Sequence, residues 1–504
     1  MSINHHSPLN IEQIERNFRD IAPPLNEAEA VLESNRCVYC YDAPCTRACP
    51  THIDVPSFIK KIASGNLLGS ARVIFDANPI GATCARVCPV EVLCEGACVE
   101  KTLMDKPIEI GRLQRYATDF VMRNERDVLT VGTPNGKSVG IIGSGPAGLS
   151  CAAYLARLGY AVTIYDKKPL PGGLDTYGMA EYKMSQIVSV DEAGQVERLG
   201  VKFQLETEIV QSSKFKVQSS DAETIQSSEL KGQNYNQISF EDLQSRHDAI
   251  FLAVGLGATN RLNVEGENLN GVYDALDFIE RIKTRDWKSI PLGKTVAVIG
   301  AGNTAIDALT QAKRLGAEKV LMIYRRTERD ISAYGYEYEL AKKDAVEFIW
   351  QTAPIEILTD ENGAVAALRC EKTDGSKQIF DVPCDMVVKA IGQQKQVEFL
   401  QPLGVELDEK GRVRVNLDTM QTSNPRIFAG GDCVNGGREA VDAAQTGKLA
   451  AQGIHFNLIG EKVEFAGARL PFIEKIHGEM PAITPAAFDE PAIPAEDLGI
   501  KSYG

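Results

Sequence analysis

Two kinds of residue in this chain are spaced for chemistry: thiols in tight groups, and glycines that end apolar runs. Eight of the 12 cysteines fall between Cys37 and Cys98. The first four read Cys37-x2-Cys40-x4-Cys45-x3-Cys49-Pro50, and the second four read Cys84-x3-Cys88-Pro89 and then Cys94-x3-Cys98. A secreted disulfide domain concentrates cysteine in this way. Residues 1–10, however, lack the charged start and apolar core of a secretion signal. In a reducing compartment such a group binds metal. A structural zinc domain offers two C-x2-C pairs, and only one is present here. The run C-x2-C…C-x3-C-P follows the ferredoxin pattern instead, in which the cysteine before proline serves the other cluster. The expectation is two [4Fe–4S] clusters, with zinc as the alternative.

The glycines form two copies of one motif. Val139-Gly-Ile-Ile-Gly143-Ser144-Gly145-Pro146-Ala147-Gly148 is an apolar strand ending in G-x-G-x-x-G, with a helical run behind it. The first glycine makes the tight turn, the second admits a pyrophosphate to the backbone, and the third lets helix and strand pack closely. The phosphates then meet the free N–H groups of a helix start. A second strand, 162–166, ends at Asp166 beside Lys167, where a carboxylate suits a ribose diol. Pro171-Gly172-Gly173-Leu174 reads as a turn beside a flavin, and Phe251-Leu-Ala-Val-Gly255 as a strand returning to the cofactor. Ile427-Phe-Ala-Gly430-Gly431-Asp432 reads as the strand that brings an acid to the ribityl chain. The alternative is a glycine-rich turn in a plain α/β domain.

The second copy is Val296-Ala-Val-Ile-Gly300-Ala301-Gly302-Asn303-Thr304-Ala305. Its following strand ends in Arg325-Arg326, where the first copy has Asp166. Two guanidinium forks at that place pair with a 2′-phosphate rather than a diol. Met386-Val-Val-Lys-Ala390-Ile391-Gly392 again runs a strand into glycine. The first site therefore reads as FAD and the second as NADPH, with NADH the alternative donor. The alternative for the arginine pair is a solvated strand end.

Together these imply hydride transfer from a nicotinamide to a flavin, followed by single-electron transfer through clusters. That transfer requires no general acid or base, and no catalytic side chain is assigned. A disulfide reductase needs a redox cysteine pair beside the flavin, but Cys151, Cys370, Cys384 and Cys433 are scattered singly. An iron–sulfur scaffold with inactive nucleotide folds is the third class. It would oxidise no NAD(P)H.

The elements that must hold these residues suggest an α/β protein of about three domains, given 504 residues. A helical iron–sulfur domain at 37–123 follows an arm at 1–36, whose two helical patches, 11–21 and 26–34, are expected to pack on it. Within it, 56–68 reads as an amphipathic helix with Phe58, Ile59 and Ile62 on one face. A polar linker at 124–137 leads to two Rossmann-like domains. The FAD domain spans 138–290 and resumes at 396–460, interrupted by the NAD(P)H domain at 291–395. Residues 211–238 read as a mobile insertion and 461–504 as an extended tail. A net charge of −14 argues against nucleic acid and anionic membrane as partners. No apolar run approaches the roughly 20 residues of a membrane span, so cytoplasm is the expected location.

The wording around the cysteines resembles a known family. Cys37-Val-Tyr-Cys40-Tyr-Asp-Ala-Pro-Cys45, Cys49-Pro-Thr-His-Ile-Asp, Asn78-Pro-Ile-Gly, Leu93-Cys94-Glu-Gly and Ile110-Gly-Arg-Leu-Gln114 are similar to the N-terminal half of dihydropyrimidine dehydrogenase. The single-chain enzymes of that family continue into an FMN barrel, and this chain stops first. The resemblance therefore implies the electron-input subunit of the two-subunit bacterial enzyme, in a hetero-oligomer with a catalytic partner that carries FMN and the pyrimidine site. The glutamate synthase small subunit shares the architecture and is the rival. The resemblance also implies ligands: Cys37, Cys40, Cys45 and Cys98 for one cluster, and Cys49, Cys88, Cys94 and Gln114 for the other, with Cys84 free. Spacing alone selects eight cysteines. Gln114 rests on the resemblance; otherwise it is a polar helix residue.

Overall fold

The structure, a computed structural model, describes residues 6–211, 236–284 and 286–465. Most of the expected insertion at 211–238 and of the tail at 461–504 lies outside the described residues.

Two parallel five-stranded sheets organise the chain. In the first, the order is Ile427–Ala429, Ala249–Leu252, Ser138–Ile142, Ala161–Tyr165, Lys202–Gln204. Parallel strands need covered faces, and these are apolar and buried: Ile141 pairs with Ile164 on one side and Phe251 on the other. The edge strand Ile427–Ala429 arrives from beyond the second sheet and pairs with Ala249–Leu252. The second sheet runs Glu347–Ile349, Lys319–Ile323, Thr295–Ile299, Met386–Lys389, Val272–Asp274. Its edge strand Val272–Asp274 and the following helix Ala275–Thr284 precede residue 291. The boundary expected there falls inside this unit. Beyond it, three antiparallel strands, Thr352–Thr359, Val365–Lys372 and Ile379–Pro383, make a separate small sheet.

The cysteine domain is helical. Val55–Ala63 buries Val55, Phe58, Ile59 and Ile62 and is capped by Asp54. The helix expected over 56–68 stops earlier, because Gly65 turns with φ +75° and Asn66 caps a new helix, Leu67–Ala77. Gly81–Val87 carries Cys84, and Ile110–Arg123 carries Gln114. Buried Arg86 pairs with Asp119 at 2.5 Å and ties these two helices.

The arm divides between two domains. Glu27–Asn35 lies on the cysteine domain, with Ala30 in its core. Ile11–Asn17 does not pack there as expected. Ile14 and Phe18 join the core of the nicotinamide-side domain, and Phe18 stacks on Trp287 at 5.0 Å. Lys288 donates to the carbonyls of Ser7 and Leu9, and Gly316 lies against Leu9. The apolar face of this patch was legible. Its partner was not, because both domains offer apolar surface.

Candidate functional site

The flavin-type turn is built by close backbone approach. Gly143 has φ +104°, and a Cβ there would lie 2.3 Å from Ala253 O; a Cβ at Gly148 would lie 2.0 Å from Gly143 O. Only glycine satisfies both positions. Helix Pro146–Arg157 starts at this turn with proline in its first turn. Gly173 rests on Gly145, since its Cβ would meet Gly145 Cα at 2.8 Å, and Leu174 stays partly exposed beside it. Gly431 reaches the same helix start, with its Cβ position 3.1 Å from the Ala147 Cβ. The structure thus brings Gly143, Ser144, Gly145, Pro146, Ala147, Gly148, Gly173 and Gly431 onto one cradle.

Asp166 faces this turn. Its Oδ2 accepts from Ser144 N at 2.8 Å and Ser144 Oγ at 2.6 Å, and its Oδ1 accepts from Lys168 N. Lys167 is exposed next to it. Asp432 starts the short helix Asp432–Asn435 and accepts from Arg438 N. Burial pushes Asp432 and Glu439 above the usual carboxylate range. Gly255 has φ +61°, and Gln396 donates to the flanking carbonyls of Val254 and Leu256.

The second turn repeats the construction. Gly300 has φ +131°, and a Cβ there would lie 2.2 Å from Ala390 O, so Ala390-Ile391-Gly392 closes over the Gly300-Ala301-Gly302 turn. Asn303 starts the helix Asn303–Leu315 and accepts from Tyr334 N, while Thr304 is exposed. Arg325 and Arg326 are exposed just past the strand Lys319–Ile323. Their carbonyls accept from Thr373 Oγ1 and Gln351 N, which fixes the backbone, and among the described residues neither guanidinium forms an ion pair. The two nucleotide folds touch through Tyr334, which donates to Glu439 at 2.6 Å at the start of helix Ala440–Ile459.

The cysteines fall into two groups. Cys37, Cys40, Cys45 and Cys98 line one cavity with Val55, Ile59, Ile108 and Ile110. Burial pushes Cys45 up to about 12 and raises Cys37. Two of these thiols, Cys45 and Cys98, are buried and Cys37 and Cys40 are half-buried; a group of this kind suits cationic iron, which would keep the thiols as thiolates. In the second group, Cys88 is raised by its hydrogen bond with Cys84, by burial, and by Cys49 and Cys94 nearby. Gln114 is buried, and its Nε2 donates to Gly81 O at 2.7 Å. That bond orients the amide and leaves its oxygen on the other side. Cys84, buried, accepts from Asn78 Nδ2 at 3.1 Å.

Several residues that sequence reasoning did not select join the parts. Glu192, buried, accepts from the N–H groups of Ala82 and Thr83 and from Thr83 Oγ1 at the start of helix Gly81–Val87. Lys448 donates to Thr51 O and Ala77 O. Lys183, from the flavin side, is paired with Asp307 and Glu337 of the other nucleotide fold, all three buried side chains. For Lys448 an ionisable residue among the apolar residues of helix Ala440–Ile459 was the only signal available; Glu192, in a polar helix, and Lys183, in a turn, gave none. The partners of Lys448, hundreds of residues away, gave none either.

Two family models match the chain. Pyridine nucleotide-disulphide oxidoreductase covers residues 137–447, and dihydropyrimidine dehydrogenase domain II, 4Fe-4S cluster, covers 14–126. The chain belongs to the pyridine nucleotide-disulphide oxidoreductases, with the 4Fe-4S domain of dihydropyrimidine dehydrogenase ahead of the nucleotide folds. It is an oxidoreductase that joins flavin, NAD(P)H and iron–sulfur chemistry. Among relatives, the glutamate synthase [NADPH] small chain of Escherichia coli (strain K12) is 34% identical over 480 residues, 89% of this chain and 95% of that one. The NAD-dependent dihydropyrimidine dehydrogenase subunit PreT of the same organism is 31% identical over 447 residues, 88% of this chain and 98% of that one. Among solved structures, Lactococcus lactis thioredoxin reductase is similar at a TM-score of 0.49 and 24% identity, over 64% of this chain and 100% of that one. No helix among the described residues is long and apolar enough to cross a membrane.

Proposed function

We propose that this chain takes a hydride from NADPH at the Arg325–Arg326 side and passes the electrons singly through two [4Fe–4S] clusters to a partner subunit that reduces a pyrimidine. FAD, when bound, supplies the conversion from hydride to single electrons. The residues of the chain bind and orient. Gly143–Gly148, Gly173, Leu174, Gly255, Asp166, Lys167, Gly431 and Asp432 hold the flavin nucleotide, and Ala301–Thr304 and Ala390–Gly392 hold the nicotinamide nucleotide. Cys37, Cys40, Cys45 and Cys98 hold one cluster; Cys49, Cys88, Cys94 and Gln114 hold the other.

One observation carries this reading. Cys84 belongs to the same buried core as Val139, Ile141 and Ala147 of the flavin-type turn, and Cys49 and Cys88 pack against that core. Through Cys49, Cys84 and Cys88 the second cysteine group thus reaches the flavin-side core. Cys45 and Cys98 of the first group lie in the cysteine domain's own core, with Cys37, Cys40, Cys49 and Cys94 packed against it; none of the first group joins the flavin-side core, which suits an outlet.

The pyrimidine reading draws on the 4Fe-4S domain model over 14–126 and on the relative named as a dihydropyrimidine dehydrogenase subunit. A second reading, a glutamate synthase small subunit, is favoured by the higher identity of that relative. The native complex, captured through this chain and assayed with NAD(P)H, decides between them. Uracil reduction is expected, with a higher kcat/KM for NADPH than for NADH. Activity only with glutamine and 2-oxoglutarate would assign the partner to the second reading.

A further inference from the structure

Helix Ala440–Ile459 lies between the flavin cradle and the cysteine domain. On one side it presses on helix Pro146–Arg157: a Cβ at Gly447 would lie 2.3 Å from Ala147 O. The next residue, Lys448, is 4% exposed. Its Nζ donates to Thr51 O and to Ala77 O at 3.2 Å each, and both acceptors belong to the cysteine domain. Thr51, itself buried, places Oγ1 3.4 Å from Cys49 Sγ. The Nζ also lies 5.7 Å from the Tyr154 ring centroid.

We propose that Lys448 is the buried cation that sets the reduction potential of the cluster bound through Cys49, and with it the ease of the first electron transfer out of the flavin. The inference rests on the ligand assignment proposed above. A cluster held through Cys49 would take up one electron in that transfer and so gain one unit of negative charge. A fixed positive charge in a water-poor layer stabilises the reduced form more than the oxidised form, because Coulomb interactions there are screened far less than in water. Second-sphere charge and burial are established levers on cluster potential. The charged groups around Lys448 include Cys49, which favours the ammonium, and Arg157, which opposes it. Arg157 is itself paired with Asp76 at 2.8 Å. Burial pulls Lys448 down to about 8, and its two carbonyl acceptors each take a hydrogen bond from it. Lys448 acts through the cluster and is a positioning residue, not a catalytic one.

The test uses the whole chain, purified anaerobically, as Lys448→Gln, Lys448→Met and Lys448→Arg. Iron, sulfide and FAD content are measured first, then the potential of each cluster by EPR-monitored titration. Gln keeps a donor for the two carbonyls but removes the charge. The Gln and Met variants are expected to lower the potential of one cluster only, weakening its electron affinity roughly ten-fold or more, while Arg stays near the parent. A purely structural lysine predicts a Gln variant like the parent, and that result would overturn the proposal. So would an equal shift of both clusters. Zinc in place of iron in the parent protein would instead remove the cluster assignment itself.

Discussion

At the residue scale, the second cysteine group offers two candidates for its fourth iron ligand. Gln114 is oriented by its bond to Gly81 O, and Cys84 sits beside Cys88. A thiolate is the stronger iron ligand, so spacing alone favours Cys84. Asn78 already donates to that sulfur, and Cys84 lies in the flavin-side core. Gln114→Ala is therefore expected to change the EPR signal of one cluster and spare the other, and Cys84→Ser to change neither. The reverse pattern would move the ligand from Gln114 to Cys84. The thiols were legible because cysteine at C-x2-C and C-x3-C-P spacing has few other uses. The Gln114 environment was not, since the Gly81 carbonyl that holds it is 33 positions away.

At the scale of elements, helix Gly81–Val87 has no side-chain cap of its own. The N–H groups of Ala82 and Thr83 are taken by Glu192, from helix Gln186–Arg198 of the flavin domain. A carboxylate at a helix start is favourable, but this one is buried, and burial pushes it up to about 7. The folded protein therefore holds the proton more tightly than the unfolded chain, where a glutamate titrates near 4.3. By linkage, Glu192 makes stability fall as pH rises from about 4.5 to about 7, with no further change above. The full span is about 3 kcal/mol. Denaturation midpoints of the parent minus those of Glu192→Gln, compared at pH 5 and pH 8, should show this loss. A difference independent of pH would mean that Glu192 is charged throughout. The strand–Gly–helix units could be read from sequence because the requirement is local: a Cβ at Gly143 or Gly148 would collide with a backbone carbonyl. The capping of one domain by another could not, because Glu192 and Thr83 are 109 positions apart.

At the scale of the whole molecule, the domains are held in one arrangement by buried charge as well as apolar contact. Lys183 sits between Asp307 and Glu337, Tyr182 bonds Thr310, and the arm ties residues 7–18 to the nicotinamide-side fold. Removing either partner of such a buried pair strands an uncompensated charge, so the arrangement resists sliding of one fold on the other. On the proposed assignment the order is nicotinamide fold, flavin cradle, the cysteine group of Cys49 and Cys88, then the group of Cys37 and Cys45, the outer one. Around the outer group, Val38, Tyr41, Leu103 and Met104 are more than half exposed. On the proposed reading, reduction of a pyrimidine or of 2-oxoglutarate is left to the partner subunit. The 504-residue chain alone is therefore expected to oxidise NAD(P)H with a one-electron dye as acceptor, and to show no NAD(P)H oxidation with uracil, thymine or 2-oxoglutarate. Dye reduction without bound iron would show that electrons leave from the flavin directly, and turnover of uracil by the chain alone would place a substrate site within these 504 residues. The first result would break the order of transfer that the packing of Cys49 and Cys88 on the flavin-side core supports, and the second would remove the need for a partner subunit.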